Sequence, residues 1–203
     1  MTSHYPDRRD VVRALLADRG NLLVIAGLGA PAWDATAAGD HPLTFPLWGG
    51  MGGAAMIGLG LALAQPTRPV LVLTGDGEML MGLGSLATLG AQRAKNLAVV
   101  VLDNERYGET GMQSSHTAFG VDLAAVAKAC EFASVSNITS LELISGLRAG
   151  IHATALPQGK GPVFAQIKVA PDKLPLVLPP RDGAHLKNRF REALLGSEAH
   201  FQR

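Results

Sequence analysis

Two polar clusters in this chain follow directly on two continuous apolar runs. The first run, residues 69–74, leads into the sequence GDG at 75–77, and the second run, 97–103, is followed by Asn104. Apolar runs without alternation predict strands that are covered on both faces, as in the parallel sheets of α/β proteins. Because the carboxyl ends of parallel strands meet at one edge of the sheet, Asp76 and Asn104 are expected to lie at that edge together.

The rest of the chain alternates between strand and helix patterns. Strands are expected at 22–27, 69–74, 97–103, 132–136 and 162–170. Helices are expected at 10–19, 49–64, 78–94 and 121–130, and from a capping box at 139–142 to about residue 155. Residues 28–34 and 39–49 are expected to be irregular. This alternation predicts a three-layer α/β fold, a doubly wound parallel sheet with helices on both faces and right-handed crossovers.

The predicted domain covers residues 1–170. Residues 171–203 contain prolines at positions 171, 175, 179 and 180, and a polar helix is expected near 183–196. We expect this segment to be a proline-rich C-terminal arm with a short helix that packs elsewhere.

Composition excludes several classes of protein. The 18 basic and 17 acidic residues nearly cancel, and no Lys/Arg cluster indicates a nucleic-acid surface. A single cysteine, Cys130, cannot form an internal disulfide and is typical of a reducing compartment. The polar N-terminus has no secretory signal pattern, and the apolar run 51–69, rich in Gly and Ala, is better explained as a buried helix than as a membrane span. A cytoplasmic protein is therefore expected.

The GDG turn favours a phosphate site that contains a metal ion. Glycines in front of a helix expose backbone N–H groups that bind phosphate, but the carboxylate of Asp76 would repel phosphate unless a cation lay between them. Mg²⁺ suits this role because it binds one or two protein oxygens together with phosphate oxygens. The amide oxygen of Asn104 is a second ligand without further charge. The alternative, that GDG is only a tight turn, is weakened by Asn104 at the end of the next strand.

These residues resemble a known cofactor motif. GDG at 75–77 and DN at 103–104 are similar to the thiamine diphosphate (TPP) motif, which begins with GDG and ends with NN, so that Asp103 replaces the first Asn and Asn104 keeps the metal-binding one. The resemblance extends over roughly residues 20–170. It is to the diphosphate-binding (PP) domain of TPP-dependent decarboxylases, above all the β subunits of sulfopyruvate decarboxylase and the matching half of phosphonopyruvate decarboxylase.

The resemblance implies roles for individual residues. Asp76, Asn104 and the backbone carbonyl of Arg106 would bind Mg²⁺. The carbonyl of Gly49 would accept a hydrogen bond from the 4′-amino group of the cofactor, and Met51 would lie beneath the cofactor and hold it bent. The alternative for Met51 is a core side chain. The remaining residues expected to contact the cofactor are Gly50, Gly75, Gly77, Glu78, Tyr107 and Gly108.

The segment 108–117 is expected to cover the cofactor because it follows Asn104. Its sequence differs from the "GQPT"-like run of the resembled decarboxylases, so the identity of the substrate stays open. His116 is a candidate proton donor or ligand of a substrate carboxylate, and equally a solvent-facing histidine. Glu109 is a candidate catalytic residue with the same alternative. The sequence GLGAPA at 27–32 is a weak dinucleotide fingerprint and suits a loop beside the site better.

One part of a TPP site is missing from the sequence. In the resembled enzymes a Glu from a pyrimidine-binding (PYR) domain activates the cofactor, and this chain has room for one domain. Glu78, Glu105 and Glu109 all fall at the diphosphate end. The resemblance therefore implies a separate PYR-domain α subunit that donates the Glu, self-association through PP domains, and an α₂β₂ or larger assembly.

The resemblance implies the β subunit of a TPP- and Mg²⁺-dependent 2-oxoacid decarboxylase. A carboligase similar to acetolactate synthase shares every motif, and a module that binds TPP without catalysis is a further alternative. The β subunit of a 2-oxoacid:ferredoxin oxidoreductase is disfavoured because such subunits bind iron–sulfur clusters through several cysteines. The third substituent of the substrate stays open among sulfonate, phosphonate, methyl and aryl groups.

Overall fold

A six-stranded parallel sheet forms the centre of the computed structural model, which describes residues 4–201. The strands are β1 (Leu23–Ala26), β2 (Thr44–Pro46), β3 (Val70–Gly75), β4 (Leu97–Asp103), β5 (Arg106–Tyr107), β6 (Gln113–Ser114), β7 (Ser134–Ile138) and β8 (Val163–Lys168). The helices are α1 (Arg8–Leu16), α2 (Ala30–Ala37), α3 (Ala54–Ala64), α4 (Asp76–Met81), α5 (Ser85–Gln92), α6 (Leu123–Ala129), α7 (Ile144–Ala153) and α8 (Gly183–Leu195). Strands β5 and β6 form a separate antiparallel hairpin.

The sheet has the strand order β2-β1-β3-β4-β8-β7, and all of its pairs are parallel. Alternate side chains of each strand point to opposite faces. On one face they pack against α1, α2 and α7, and on the other against α3, α5, α6 and α8. The predicted doubly wound fold with helices on both faces is confirmed.

The order of the strands creates a switch point between β1 and β3. From β1 the chain continues to β2 on one side, and from β3 it continues to β4 on the other side. The loops that follow β1 and β3 therefore diverge and leave a crevice at the carboxyl edge, which is where ligands bind in open α/β sheets.

Two segments expected to be irregular contain regular structure. Helix α2 begins inside 28–34, because Gly29 adopts a φ of 83° at its N-terminus and Pro31 lies in its first turn. Strand β2 lies inside 39–49 and pairs with β1 at the edge of the sheet. Its Pro46 is tolerated there because an edge strand has one unpaired side.

The helix expected at 78–94 is in fact two helices, α4 and α5, and the helix expected at 49–64 begins only at Ala54. Gly50 and Gly52 have positive φ angles, which a right-handed helix does not allow, so α3 begins after them. At the other break, the backbone of Gly82 lies so close to that of Gly52 that a Cβ atom at Gly82 would overlap the carbonyl oxygen of Gly52. The end of α4 and the turn before α3 thus meet at two glycines.

The predicted capping box at 139–142 is not formed as expected. Ser140 precedes a single 3-10 turn, Leu141–Leu143, and makes no side-chain cap hydrogen bond. Helix α7 begins only at Ile144.

The C-terminal arm lies against this domain rather than elsewhere. The ring of Phe190 in α8 packs edge to face on Phe45 of β2, with 5.6 Å between ring centroids. The Arg189 guanidinium pairs with Asp40 at 2.6 Å. The helix expected near 183–196 therefore contributes to the core, with Leu186 and Phe190 buried. Among residues 4–201, no helix has the length and apolar character needed to cross a membrane.

Gly82→Ala should destabilise the chain, because the new methyl group would overlap the backbone of Gly52. We expect the free energy of unfolding to fall by about 1–3 kcal/mol, as for an overpacked core, measured by urea denaturation. Gly84→Ala is the matched control, since Gly84 has a φ of −61° and no atom within 4 Å of an added Cβ. Equal effects of the two substitutions would contradict the role given to the Gly52–Gly82 contact.

Candidate active site

A cavity of about 600 Å³ opens at the carboxyl edge, at the switch point between β1 and β3. Most of the residues predicted to bind the cofactor or to act in catalysis line it. Those residues are Met51, Gly75, Asp76, Gly77, Glu78, Asn104, Arg106, Tyr107, Gly108 and Glu109. Three predicted residues do not line the cavity, namely Gly49, Gly50 and His116.

Asp76 is the first residue of α4 and is only 1% exposed. Its Oδ2 atom accepts a hydrogen bond from the Ser115 hydroxyl and lies 3.2 Å from the hydroxyl of Thr117. Burial raises the pKa of Asp76 to about 6, the Ser115 hydrogen bond opposes this shift, and the nearby charge of Asp103 adds to it. Both side-chain partners of Asp76 contact Oδ2, and none contacts Oδ1.

A tight turn after β4 brings Asn104 and Arg106 to the same cavity. The Asn104 Oδ1 atom accepts a hydrogen bond from the Arg106 backbone N–H at 3.0 Å, and Glu105 between them has a φ of 62°. The guanidinium of Arg106 donates to the hydroxyl of Ser114 across the β5–β6 hairpin at 3.0 Å. These contacts hold the turn in one conformation.

The available oxygen atoms suit Mg²⁺. Asp76 offers a carboxylate, Asn104 an amide oxygen with a further lone pair, and Arg106 a backbone carbonyl, all hard oxygen ligands. Within residues 4–201 there is no group of three or more His, Cys, Asp or Glu side chains that could hold a metal ion. A cation here would thus have few protein ligands, and phosphate and water oxygens would complete its coordination.

Gly77 allows the cavity wall to close. The ring of Tyr107 lies directly on Gly77, and a Cβ atom at that position would overlap the ring. The second glycine of GDG is therefore required for contact between α4 and the β5–β6 hairpin.

The Glu78 carboxylate lies toward the protein interior. Its Oε2 atom accepts a hydrogen bond from the Thr74 hydroxyl at 2.8 Å and contacts Gly27 at the end of β1. Burial raises the pKa of Glu78, and the Thr74 hydrogen bond opposes the shift. The backbone of the GDG turn, rather than this carboxylate, is therefore the part of the motif that suits a diphosphate.

Met51 projects from a turn in which Gly50 and Gly52 both have positive φ angles, 71° and 91°. The contact between Gly52 and Gly82 fixes this turn against α4. Met51 is 39% exposed and lines the cavity, whereas a core side chain would be buried.

The two candidates in the segment 108–117 differ in position. Glu109 lines the cavity, its carboxylate contacts Gly29 in the loop after β1, and burial raises its pKa. His116 is exposed at the start of a 3-10 helix and does not line the cavity.

Several residues at the site were missed from the sequence. Ser115 and Thr117, on either side of His116, are buried and contact Asp76. The C-terminal arm also lines the cavity, through Lys173 among others, and its backbone at Asp172 accepts a 2.7 Å hydrogen bond from Arg8. Ser115 and Thr117 could have been suspected from the sequence only because they are hydroxyl residues on either side of a histidine. No sequence pattern indicated that the C-terminal arm would line the cavity.

Comparisons with known proteins agree with this geometry. The family model "Thiamine pyrophosphate enzyme, C-terminal TPP binding domain" matches residues 30–167. The chain is 38% identical over 175 residues to sulfopyruvate decarboxylase subunit beta of Methanothermobacter thermautotrophicus, covering 86% of this chain and 88% of the relative. It is 38% identical over 188 residues to phosphonopyruvate decarboxylase of Streptomyces viridochromogenes, covering 92% of this chain and 46% of that relative.

A solved structure shows the same fold at lower identity. Benzoylformate decarboxylase from Polynucleobacter necessarius superposes with a TM-score of 0.63 at 19% identity, over 83% of this chain and 34% of that chain. The family match covers more than half of the sequence and includes both halves of the GDG–DN motif. The chain belongs to the thiamine pyrophosphate enzymes, as their C-terminal TPP-binding domain.

Proposed function

We propose that this chain is the β subunit of a TPP- and Mg²⁺-dependent 2-oxoacid decarboxylase. The main support for the proposal is that Asp76, Asn104 and Met51 all line one cavity at the switch point of the sheet. The names of the relatives support the reaction, since the two relatives described above are both decarboxylases. Both also act, by name, on pyruvates with an anionic substituent, so sulfopyruvate and phosphonopyruvate are the first substrates to test.

In this proposal Asp76, Asn104 and the Arg106 carbonyl hold Mg²⁺, and the metal ion neutralises the diphosphate. The backbone of 75–77 faces the same ligand without a side chain at either glycine. The Tyr107 ring lies against Gly77 and forms one wall of the diphosphate end.

Met51 has a separate role in orientation. Its exposed side chain at the cavity would support the bound cofactor from below and restrict it to a bent conformation. When bound, TPP supplies the electron sink that decarboxylation of a 2-oxoacid requires. The rigid turn at 50–52 matters because an orienting group contributes only if it is itself held in place.

The carboxylates of this chain are poorly suited to activate the cofactor ring. Asp76 is assigned to the metal, Glu78 is bound to Thr74 in the interior, and Glu109 lies beside Gly29 at the diphosphate end. We therefore propose that a PYR-domain α subunit donates the activating Glu. The name "subunit beta" of the relative supports a separate partner.

An apolar surface beside the cavity suits such a partner. Helix α3 exposes the side chains of Met56, Ile57 and Leu63. Met81, the last residue of α4, is 58% exposed and directly precedes Gly82, which contacts Gly52. We call the exposed side chains of Met56, Ile57 and Leu63 the α3 face. Exposed apolar groups of this kind mark interaction surfaces, and we propose that a second copy of this chain or the α subunit covers the α3 face.

The direct test is reconstitution. The chain alone should release no CO₂ from sulfopyruvate or phosphonopyruvate, and addition of a candidate PYR-domain subunit from the same source should restore turnover. Rapid turnover by the verified single chain would contradict the need for a partner. Products that contain a new carbon–carbon bond would instead indicate a carboligase.

Asp76→Ala should abolish Mg²⁺-dependent binding of TPP, because the carboxylate ligand is lost, and we expect affinity to fall at least about 100-fold by calorimetry. Asp10→Ala, which removes an exposed carboxylate of α1, is the control and should bind normally. Unchanged TPP affinity in a folded Asp76→Ala variant would disprove the metal assignment.

Met51→Ala should keep TPP affinity within a few fold, since no diphosphate contact is lost, yet turnover of the reconstituted enzyme should fall by about 100-fold because orientation is lost. Met56→Ala, which removes an exposed methionine that does not line the cavity, is the control at saturating partner. If both variants retain the activity of the wild type, Met51 has no orienting role.

Ile57→Glu should disrupt assembly, because it places a charge at the centre of the α3 face. Sedimentation should show a folded chain with weaker self-association or weaker binding to the partner. Leu143→Glu is the control, because it places the same charge on an exposed leucine next to α7, away from the α3 face. Leu143 is 55% exposed and Ile57 is 42% exposed. Equal assembly by the two variants would place the interface elsewhere.

A further inference from the structure

A buried chain of hydrogen bonds connects Asp76 to the end of β8. The Ser115 hydroxyl donates to Asp76 Oδ2, and its oxygen lies 2.8 Å from the hydroxyl oxygen of Thr117. The Thr117 hydroxyl lies 2.7 Å from Oδ1 of Asp103, a shorter distance than its 3.2 Å to Asp76. Because a hydroxyl has one hydrogen, Thr117 shares it between the two carboxylates, with the shorter contact to Asp103.

Asp103 is fully buried and receives four donors. The Thr117 hydroxyl and the Glu105 backbone N–H contact Oδ1, and Gln166 Nε2 and Lys168 Nζ contact Oδ2 at 2.6 and 2.8 Å. Gln166 is itself fixed, since its other amide atom accepts a hydrogen bond from the backbone N–H of Ala124.

This environment explains the departure from the NN ending of the TPP motif. An asparagine has one acceptor oxygen, so in either orientation its NH₂ group would face two of the four donors. A carboxylate satisfies all four, and Lys168 compensates its charge, so that the second buried carboxylate is tolerated beside Asp76. Lys168 also pairs with Glu105 at 2.7 Å, which ties the turn before Arg106 to the same group.

We propose that Thr117 and Asp103 are positioning residues for the metal ligand Asp76, and that Lys168 stabilises them in this role. Asp103 holds Thr117, Thr117 and Ser115 hold Oδ2 of Asp76, and Oδ1 is thereby directed to the cation. The proposal rests on the magnesium site of the proposed function. Partners that orient a metal ligand typically change metal affinity about 10–100-fold when removed.

The first experiment measures metal binding. Mn²⁺ affinity in the presence of TPP is determined by electron paramagnetic resonance for the full chain and for Thr117→Val, Thr117→Ser and Thr154→Val. Thr154 is a buried threonine at the C-terminal end of α7 that donates to the Ile151 carbonyl at 2.7 Å, so its substitution reports stability alone. Melting temperatures of the metal-free proteins are measured alongside.

We expect Thr117→Val to weaken Mn²⁺ binding about 10–100-fold, Thr117→Ser to retain affinity within about threefold, and Thr154→Val to bind normally despite a lower melting temperature. Equal affinity of Thr117→Val and the wild type would overturn the proposal. So would an equal loss in Thr117→Val and Thr154→Val, since the effect would then follow from stability. A wild-type chain that binds no Mn²⁺ with TPP would refute the magnesium site itself.

Asp103→Asn provides an independent test. It restores the residue of the TPP motif, yet here it should weaken Mn²⁺ binding about 10-fold or more, because one amide cannot satisfy four donors. Thr117→Ser is the control, because it changes a residue of the same hydrogen-bond network but keeps the hydroxyl group, and it should keep its affinity for Mn²⁺. Tighter or unchanged binding in Asp103→Asn would contradict the positioning role of Asp103.

Discussion

The burial of Asp76 at the carboxyl edge of the sheet is the constraint on which the site depends. A buried carboxylate costs free energy unless hydrogen bonds or charges compensate it, and here the compensating groups come from Ser115 and Thr117. Thr117 in turn donates to Asp103, and Asp103 pairs with Lys168 of β8. The groups that compensate the buried charge of Asp76 therefore extend from the segment 108–117 to β8. The cofactor cavity is therefore bordered by elements that are already tied to one another.

A second constraint is the close approach of two backbones. Gly52 and Gly82 touch without side chains between them, and this contact joins the end of α4 to the turn that carries Met51 at the cavity. The α/β architecture supplies the crevice, and this contact places an apolar side chain inside it. Asp76, Asn104 and Met51 all line the cavity at the switch point, where the proposed metal ion and cofactor would bind.

Much of the fold could be predicted because both faces of the sheet are covered. The continuous apolar run at 97–103 coincides with β4, and the run at 69–74 differs from β3 by one residue at each end. Short elements were missed where tertiary contacts override local preference. Strand β2 pairs with β1 despite two nearby prolines, and the helix expected at 78–94 ends at Met81, next to the contact between Gly82 and the distant Gly52.

The sequence alone determined the α/β class, the cofactor motif and the positions of Asp76 and Asn104 at strand ends, because strand ends leave a local pattern, whereas Met51 was expected inside a helix and lies in the turn before α3. Only the tertiary structure decided the partners of those residues. The four donors at Asp103 come from three separate segments, and Lys173 of the C-terminal arm reaches the cavity across the carboxyl edge. Contacts between segments far apart in the chain depend on how the layers pack, and they leave no periodic signal in the sequence.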